Sequence, residues 1–509
     1  MSMPAERLRP HMTLGQLLEG MDASGLEGAA GLEVTGIATD SRRIVEGDVF
    51  LACQGESSHG LDYLEQAIAR GAAAVAFDTA TASATDASVP MVGVRDLSSA
   101  LGTIANRFYD TPSRDVRVTG ITGTNGKTTV AWLIRQCLGR LGQPCGYIGT
   151  LGYGVDDMTG DASMTTPACV ELHALLADFR SAGAKQAAIE VSSHALEQKR
   201  VDGMRFGAAI FTNLTRDHMD YHGSMRAYGE SKASLFLDYD VDTRIVSLDT
   251  DFGTELADRC GPGVITVSTR FDRVANGRPY VFVRSVVATP QGSNIALQSA
   301  WAAADISLPL PGEFNVAKAA QVLAPLLSQG IDLKDARAVL ETVSAPAGRM
   351  QRIDVVSESP LPQVFVDYSH TPASLEAALK ALRAHSGGRL WCVFGCGGDR
   401  DRGKRALMGR IASRLADHPI VTSDNPRTEP PGQIIAEVLE GMAEGSVAIE
   451  DRGTAILHAV REAAAGDTVL VAGKGHENYQ VIGRERLAFS DADVARAGLE
   501  ARAAGIDGT

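Results

Sequence analysis

The chain has 509 residues, of which 44% are hydrophobic and 22% charged, and its formal net charge is −14. This length exceeds what one hydrophobic core usually supports, so about three domains are expected. The acidic balance excludes a nucleic-acid-binding surface built from clustered basic residues. No segment approaches the roughly 18 consecutive apolar residues of a membrane-spanning helix, and the first residues lack the apolar core of a signal peptide. We therefore expect a cytoplasmic protein without membrane insertion.

Strand-like apolar runs alternate with helical patterns along the whole chain, which predicts an α/β fold with mostly parallel sheets. We predict a small N-terminal domain over residues 1–114, a P-loop-type nucleotide domain over 115–346 and a Rossmann-like domain over 347–509. In the first domain the pattern predicts strands over 48–52 and 72–77 and a helix over 63–71. Residues 110–114 are expected to form a linker, because Thr-Pro-Ser interrupts the pattern there. The seven cysteines lack metal-ligand spacing, which favours reduced thiols over structural zinc.

A predicted strand over residues 116–121 leads into a segment typical of a phosphate cradle. The segment consists of Thr122, Gly123, Thr124, Asn125, Gly126, Lys127, Thr128 and Thr129. Backbone N–H groups, the dipole of the following helix and Lys127 favour an anion, and Thr128 is placed to offer its hydroxyl to Mg²⁺. Gly120 and Gly123 are expected to supply the turn. A chance Gly-Lys-Thr on a surface loop is the alternative, but the strand before the segment and the helix after it argue against this. The pattern therefore predicts a nucleoside triphosphate site.

Two further strands of this domain end in residues suited to metal or phosphate chemistry. Glu190 stands near the end of the predicted strand 186–191, where a carboxylate beside a phosphate cradle is a natural Mg²⁺ anchor; a solvated cap is the alternative. The predicted strand 208–212 leads into 213–222, which is dense in carboxylate and imidazole groups. Each histidine alone would more often be a surface or packing residue. A predicted helix carries Lys232, which alone would be an ordinary surface lysine.

The last domain repeats one arrangement three times, with a polar loop after a predicted strand. The strands are 390–394, 419–422 and 468–472, and the loops are 395–400, 423–427 and 473–477. Open parallel sheets bind ligands at the carboxyl ends of their strands. Arg400 and Arg427 would hold carboxylates and Glu477 an ammonium group, so the expected ligand is a small zwitterionic acid. The glycines of the first loop lack the spacing of a dinucleotide site.

Together, these motifs resemble those of the Mur ligase family of bacterial peptidoglycan synthesis over essentially the full chain. The matching segments are 122–129, 190–194, 213–222, 312–315, 348–350 and 367–372. The segment 424–427 (Asp-Asn-Pro-Arg) is similar to the members that add diaminopimelate, since lysine-adding members lack this arginine. The resemblance implies an ATP-dependent ligase with three α/β domains. It would join meso-2,6-diaminopimelate to UDP-N-acetylmuramoyl-L-alanyl-D-glutamate through an acyl phosphate.

The resemblance also implies roles for individual residues. The nucleotide dipeptide would contact Thr39, Ser41, Glu56, Ser57, Ser58, Thr165, Thr166, Ser192, Gln198 and Arg200. ATP would contact 123–129, Asn315, Arg349 and Asp367. Two Mg²⁺ ions would be held by Thr128, Glu190, His218 and Lys232, the last as a CO₂-derived carbamate. Diaminopimelate would contact Arg400, Asp424, Asn425, Pro426, Arg427, Gly473 and Glu477. The catalytic residues would be Lys127, His218, Lys232 and Arg349.

Two positions depart from the family pattern, and three other functions stay open. Lys318 stands where the family often has asparagine at the adenine, and Ser369 where many relatives have alanine. The alternatives are a folylpolyglutamate synthetase, a nucleotide-switched regulator or motor, and a non-catalytic nucleotide-binding scaffold. The base that accepts the proton of the amine, His218 or a carboxylate, also stays open. A monomer is expected.

Overall fold

Apolar strands alternate with helices in the computed structural model, which describes residues 11–55, 58–83, 85–158, 164–273 and 277–505. The chain divides into two compact units, Met1–Ile265 and Thr266–Thr509. The predicted α/β class with mostly parallel sheets is confirmed. The predicted domain boundaries after residues 114 and 346 stay a prediction. Within the described residues, no helix has both the length and the apolar character needed to cross a bilayer.

The first unit opens with a five-stranded sheet in the order β2-β7-β6-β5-β4. Its helices and strands are β1 (Met12–Thr13), α1 (Leu14–Leu17), β2 (Ala23–Ser24), β3 (Glu33–Val34), β4 (Gly36–Ala38), β5 (Asp48–Ala52), α2 (Leu64–Ala69), β6 (Ala74–Asp78), β7 (Met91–Val94), α3 (Leu97–Phe108) and α4 (Pro112–Asp115). Strands β4 to β7 pair in parallel. Every residue of β5 and β6 is buried, as expected for strands covered on both faces. The sequence therefore located these elements correctly to within a few residues.

The segment 110–114, predicted as a linker, joins α3 to the strand Arg117–Thr122 and includes most of a short helix. Its residues from Pro112 belong to the short helix α4, and proline at a first helical position is pre-organised for a helix start. Arg180 donates to the carbonyls of Tyr109 and Asp110 and to the carboxylate of Asp115, at 3.0, 2.8 and 3.0 Å. Three hydrogen bonds from one guanidinium therefore join this connection to the helix Cys169–Ser181, and its role as a domain linker stays a prediction.

The remainder of the first unit contains strands in the order β10-β9-β11-β8-β12-β13. Its elements are β8 (Arg117–Thr122), α5 (Lys127–Arg140), β9 (Cys145–Gly149), β10 (Gly152–Gly154), α6 (Cys169–Ser181), β11 (Gln186–Glu190), α7 (Ser193–Glu197), β12 (Arg205–Phe211), α8 (Met219–His222), α9 (Met225–Leu237), β13 (Asp240–Ser247) and α10 (Asp251–Cys260). In the parallel register, Ile121 of β8 lies between Glu190 of β11 and Ile210 of β12. The carboxyl ends of these three strands, and the loops that follow them, therefore lie side by side.

Gly120 does not belong to the turn, contrary to the sequence-based expectation. It lies inside β8, where a Cβ would come within 2.8 Å of the Phe206 ring, so its role is to let this ring pack against the strand. The turn is made by Gly123 and Gly126, with φ of 142° and 95°. These values lie in the left-handed region that glycine adopts without steric strain.

The second unit contains a six-stranded sheet in the order β18-β19-β23-β20-β21-β22. The elements from its start are β14 (Ile265–Ser268), β15 (Tyr280–Thr289), β16 (Gly292–Ser299), β17 (Ala303–Leu308), α11 (Glu313–Ser328), α12 (Leu333–Leu340), β18 (Gln351–Ile353), β19 (Gln363–Asp367), α13 (Pro372–His385), β20 (Leu390–Phe394), α14 (Lys404–Leu415), β21 (His418–Val421), α15 (Pro431–Leu439), β22 (Val447–Ala448), α16 (Arg452–Glu462), β23 (Thr468–Ala472), β24 (Tyr479–Ile482), β25 (Glu485–Ala488) and α17 (Asp491–Ala503). Asp367, Ala472, Phe394 and Val421 are aligned by the parallel register. The polar loops after these residues therefore share one edge of the sheet.

Candidate active site

The glycine-rich loop after β8 is held in shape by the strand next to it. Asn213, which follows β12, accepts the backbone N–H of Thr124 on its carbonyl at 2.9 Å and that of Asn125 on its side chain at 3.0 Å. The Thr212 hydroxyl donates to the Asn125 carbonyl at 2.7 Å. These contacts hold the loop in shape at the start of α5, where a helix offers unpaired backbone N–H groups. Anion binding by this turn stays a prediction. The sequence placed Asn213 in a polar loop but did not predict this role.

Two lysine side chains donate to the same carbonyl oxygen at this loop. The Gly123 carbonyl accepts from Lys127 Nζ at 2.8 Å and from Lys232 Nζ at 3.1 Å. Lys127 also donates to the Thr124 carbonyl. The structure therefore joins Lys232 on α9 to the glycine-rich loop after β8, hereafter the phosphate loop. Lys232 and Gly123 are 109 positions apart in sequence. A surface location for Lys232, which its residue type alone would suggest, is excluded because this lysine is only 1% exposed.

Burial makes Lys232 an unusual lysine. Loss of hydration, followed by repulsion from Lys127, lowers the pKa of Lys232 well below 10.5, while the Asp217 carboxylate opposes this shift. Its ammonium lies 4.3 Å from the centre of the Tyr228 ring, which offers weak cation–π stabilisation. A lysine with a depressed pKa carries a larger share of nucleophilic free amine at neutral pH.

Glu190 presents its carboxylate to the start of α5. Its Oε2 accepts from the Thr128 hydroxyl at 2.8 Å, and its Oε1 accepts from the Tyr147 hydroxyl at 2.5 Å and from the Thr150 N–H at 2.9 Å. The residue is 1% exposed, and no lysine or arginine forms an ion pair with it in the described part of the chain. The contact between Thr128 and Glu190 agrees with the predicted pairing. Tyr147 and Thr150, which the sequence gave no reason to select, complete the carboxylate's environment.

His218 lies in an aromatic cluster on the loop after β12. Its ring centroid is 5.0 Å from that of His194 and 6.0 Å from that of Tyr228, whose face contacts Lys232. His218 is half exposed and has a φ of 51°. Among the described residues, no group of three or more His, Cys, Asp or Glu side chains has the arrangement of a metal site. Tyr228 thus contacts two of the predicted metal ligands, His218 and Lys232, whereas Thr128 and Glu190 contact each other. Joint coordination of an ion by all four residues stays a prediction.

Four of the residues expected to contact the nucleotide dipeptide form one hydrogen-bonded network. The Thr166 hydroxyl accepts from the Ser192 N–H at 3.1 Å, Arg200 donates to the Thr166 carbonyl at 2.9 Å, and Arg200 Nε donates to the Gln198 side chain at 2.9 Å. Ser192 in turn caps α7. The structure brings these residues together, at sequence separations of up to 34 positions.

The other residues predicted for this substrate are placed as follows. Ser41 is buried and donates to Gln66 at 2.6 Å, and Ser58 lies 3.3 Å from the Tyr63 hydroxyl. Thr39 and Thr165 are half-buried. Glu56 and Ser57 lie outside the described residues.

In the second unit, Asn315, Arg349 and Asp367 lie close to Lys318. Lys318 Nζ donates to Asn315 Oδ1 at 3.1 Å, and the Arg349 guanidinium lies 4.6 Å from the centre of the Tyr368 ring. Asp367 accepts from the Met350 N–H at 2.7 Å and from the Ser369 hydroxyl. The hydroxyl at Ser369, where alanine is common in the family, therefore helps to orient this carboxylate. Burial lowers the pKa of Lys318 to about 8, with Asp367 opposing and Arg349 reinforcing the shift.

The residues predicted for the amino-acid acceptor meet at the edge of the six-stranded sheet. Asn425 Nδ2 donates to Glu477 Oε2 at 2.9 Å, and the fully buried Lys474 donates to both side chains, at 3.0 and 3.2 Å. The Asp424 carboxylate accepts the Asn425 N–H at 2.6 Å. Gly473 has a φ of 125°, which favours glycine, and a Cβ there would also come within 2.6 Å of Asp424 Oδ2. Lys474 was not selected from the sequence.

Arg427 and Arg400 flank the glycine loop after β20. A Cβ placed on Gly397 would be 2.9 Å from Arg427 Nη1 and 3.9 Å from Arg400 Cγ. Arg427 has a φ of 51° and donates to the Gly398 carbonyl at 2.8 Å, whereas Arg400 is exposed and donates to the Asp399 carbonyl at 3.2 Å. The Pro426 carbonyl packs against Gly398. The predicted residues share one loop cluster, and their contacts to a ligand stay a prediction.

Three family models match the chain in succession: "Mur ligase family, catalytic domain" over residues 33–109, "Mur ligase middle domain" over 121–325 and "Mur ligase, glutamate ligase domain" over 348–475. The chain is 44% identical, over 476 residues, to a UDP-N-acetylmuramoyl-L-alanyl-D-glutamate–2,6-diaminopimelate ligase of Chromobacterium violaceum, covering 92% of this chain and 95% of that relative. The chain belongs to the Mur ligase family. A relative of the same name from Pseudomonas putida is 43% identical, covering 91% of this chain and 95% of that protein.

A solved structure of a UDP-N-acetylmuramoyl-L-alanyl-D-glutamate–2,6-diaminopimelate ligase superposes with a TM-score of 0.71. It is 32% identical in sequence and covers 96% of this chain and 99% of that one. The Mur ligase resemblance predicted from the sequence motifs is therefore confirmed.

The pKa of Lys318 generates a prediction for stability. Between pH of about 8 and 10.5 the unfolded chain holds a proton that folded Lys318 has released, so the stability of the wild type rises with pH in this window. The variant Lys318→Met lacks this pH dependence. The free energy of unfolding of the variant, measured relative to that of the wild type, should therefore be highest below pH of about 8 and fall as the pH rises toward 10.5. Urea unfolding at pH 7, 8, 9 and 10 measures the difference, with exposed Lys334→Met as the control. A difference that is the same at every pH would contradict the assignment.

Proposed function

We propose that this protein is the ATP-dependent ligase that adds meso-2,6-diaminopimelate to UDP-N-acetylmuramoyl-L-alanyl-D-glutamate, releasing ADP and phosphate. The proposal rests on two groups of residues that occur in one chain. The first is the glycine-rich loop after β8, where two lysines donate to one carbonyl. The second is the edge of the six-stranded sheet, where Arg427 lies in the loop that also holds Asn425, which donates to Glu477. The relatives from Chromobacterium violaceum and Pseudomonas putida, which each cover more than nine-tenths of the chain, bear the name of this ligase. We propose that the protein acts as a monomer in the cytoplasmic synthesis of the peptidoglycan precursor.

The chemical problem is that a carboxylate and an amine do not condense in water without activation. In the proposed reaction, a γ-carboxylate oxygen of D-glutamate attacks the γ-phosphorus of ATP, and ADP leaves. The diaminopimelate nitrogen then attacks the acyl carbon, orthophosphate leaves, and the nitrogen gives up a proton. His218 and a nearby carboxylate are both candidates to accept that proton.

The protein's main task in the first step is to neutralise charge. A triphosphate and a carboxylate repel each other, and Lys127 and the first turn of α5 would bind the phosphates against this repulsion. Arg349 would supply a second cation, and Asn315 and Asp367 would contact the nucleotide. The residues of 123–129 other than Lys127 would contribute backbone N–H groups and the Thr128 and Thr129 hydroxyls.

The residues around Glu190 fit a magnesium ion. Glu190 Oε2 and the Thr128 hydroxyl, 2.8 Å apart, are hard oxygen donors beside the phosphate loop, and burial leaves the carboxylate without a protein cation in the described part of the chain. We propose two Mg²⁺ sites, held by Thr128, Glu190, His218 and carbamylated Lys232. The ions would supply electrostatic stabilisation of the transferring phosphoryl group.

Carbamylation of Lys232 fits its environment. The free amine is the form of lysine that reacts with CO₂, and burial next to Lys127 favours that form. The product is an anion, which the Lys127 ammonium would attract, whereas this ammonium repels the protonated form of Lys232. It would also provide an oxygen ligand for a metal.

For the other two substrates, the proposal uses the clusters described above. The Thr166, Ser192, Gln198 and Arg200 network, with Thr39, Ser41, Glu56, Ser57, Ser58 and Thr165, would bind the nucleotide dipeptide. Arg400, Asp424, Asn425, Pro426, Arg427, Gly473 and Glu477 would bind diaminopimelate. Carboxylates of the amino acid would be held by the arginines and its ammonium groups by the acidic side chains.

ADP release tests the function directly and separates it from its rivals. The purified protein is supplied with ATP, Mg²⁺ and the nucleotide dipeptide, together with diaminopimelate, lysine or no acceptor. We expect rapid ADP release only with diaminopimelate. Turnover without dipeptide and acceptor would indicate a nucleotide switch or motor, turnover with folate and glutamate a folylpolyglutamate synthetase, and no turnover a scaffold.

Arg427 is predicted to select diaminopimelate over lysine. Only diaminopimelate has a second carboxylate for this guanidinium, so Arg427→Ala should lower kcat/KM for diaminopimelate by about 100-fold and leave the poor rate with lysine unchanged. Arg461→Ala, at an exposed ion pair on α16, is the matched control and should behave as wild type. An unchanged preference in Arg427→Ala would refute the assignment.

Lys232 is predicted to be essential as a carbamate. Lys232→Ala should lose at least about 100-fold in kcat, and short carboxylates such as formate or acetate should restore part of it by occupying the vacated position. Lys380→Ala, at an exposed ion pair with Glu376, is the control that should keep full activity and gain nothing from carboxylates. Undiminished activity of Lys232→Ala would remove this lysine from the metal site.

A further inference from the structure

A buried ion pair lies behind the acceptor loops of the second unit. Arg452 begins α16 and Asp491 begins α17, and both side chains are fully shielded from solvent. Arg452 Nε donates to one carboxylate oxygen of Asp491 and Nη2 to the other, each at 2.7 Å. Two parallel hydrogen bonds fix the plane of the guanidinium, which a lysine ammonium in this position would not achieve.

The same guanidinium contacts the ends of two strands that are not neighbours. Nη2 donates to the carbonyl of Ala472 at 3.0 Å, and Nη1 to the carbonyl of Ser423 at 3.4 Å. Ala472 ends β23 and Ser423 follows β21, while β20 lies between these strands in the sheet. Strands two places apart are separated by about 10 Å, too far for a backbone hydrogen bond. Arg452 bridges this distance.

Each of the two bridged carbonyls immediately precedes acceptor-loop residues. Ser423 is followed by Asp424 and Asn425, and Ala472 by Gly473 and Lys474. The two loops meet where Lys474 donates to Asn425 and where Asn425 donates to Glu477, at 3.0 and 2.9 Å. Their separation decides whether these groups can hold one small ligand at the same time.

Arg452 also carries a positive charge beneath an acidic site. Burial by itself would lower the pKa of the guanidinium, but Asp491, and after it Asp424 and Glu477, raise the pKa above its usual value. The guanidinium therefore carries its positive charge at neutral pH. It offsets part of the negative charge that Asp424 and Glu477 direct at the ligand.

We infer that Arg452, oriented by Asp491, is a positioning residue that sets the spacing of the two loops binding the amino-acid acceptor. The inference rests on the proposed function, because it takes the acceptor to be a zwitterionic amino acid held by both loops. Arg452 itself is buried below the loops and would not touch the substrate. Loosening the bridge would weaken acceptor binding and leave ATP and the nucleotide dipeptide unaffected.

Two variants and one control test the inference. Arg452→Lys keeps a buried cation but loses the two parallel hydrogen bonds to Asp491. The double variant Arg452→Met, Asp491→Leu removes both charges, so that no unpaired ion stays buried. The control is Asp467→Asn: Asp467 is also buried and accepts from the Arg389 N–H and from Trp391 Nε1, but it precedes β23, at the other end of the strand. Steady-state KM values for all three substrates and thermal unfolding are measured on each intact protein.

We expect both Arg452 variants to raise the KM for diaminopimelate by about ten-fold or more, with the other two KM values within about two-fold of wild type. Asp467→Asn should lower the unfolding temperature with all three KM values unchanged. An unchanged diaminopimelate KM in Arg452→Lys, or a parallel rise for all three substrates, would overturn the positioning role. If the wild-type protein itself showed no turnover that depends on diaminopimelate, the proposed function would be overturned instead.

Discussion

The nucleotide side of the molecule depends on two lysines that share one carbonyl oxygen. Lys127 and Lys232 both donate to Gly123, and their mutual repulsion adds to burial in lowering the pKa of Lys232. Like charges at this distance are stable only if something offsets them. A triphosphate bound at the loop and a carbamate formed on Lys232 would each do so. An anion at this position would therefore reduce the repulsion between the two lysine side chains.

The second unit uses the same strand-end geometry with the charges distributed differently. The edge of its sheet combines buried cations, Lys474 and Arg452, with the carboxylates of Asp424 and Glu477. This mixture suits a ligand that carries both signs of charge, whereas the phosphate loop suits an anion. Each cluster is assembled from loops that follow neighbouring or next-neighbouring parallel strands, so the topology of the sheet decides which residues can act together.

Sequence alone predicted the features that depend on local pattern. The strands 390–394 and 468–472 were located to the residue, and the glycine-rich loop was correctly placed between a strand and a helix. Features that depend on contacts between distant segments were missed. Asn213 fixes the loop across 88 positions of sequence, and Arg452 bridges two strand ends that no local pattern connects.

The wrong and the incomplete predictions have the same origin. Gly120 was assigned to the turn because glycines in a loop motif are indistinguishable by type, and only the packing of Phe206 shows its role in the strand. The segment 110–114 was interpreted as a linker because its composition is typical of loops, yet Arg180 holds it from another helix. Thr128 and Glu190 were predicted as metal ligands from their place in the motifs, and His218 and Lys232 from the family resemblance. Of these, the structure brings Thr128 and Glu190 into direct contact and connects Lys232 to the same loop.

The central claim is that the D-glutamyl carboxylate receives the γ-phosphoryl group before nitrogen displaces it. The most direct test supplies the nucleotide dipeptide with ¹⁸O in its γ-carboxylate, and then measures the isotope in the liberated orthophosphate by mass spectrometry. The account predicts that each phosphate released in a complete turnover carries one oxygen from that carboxylate. Orthophosphate without the label, formed while the amide product accumulates, would contradict it.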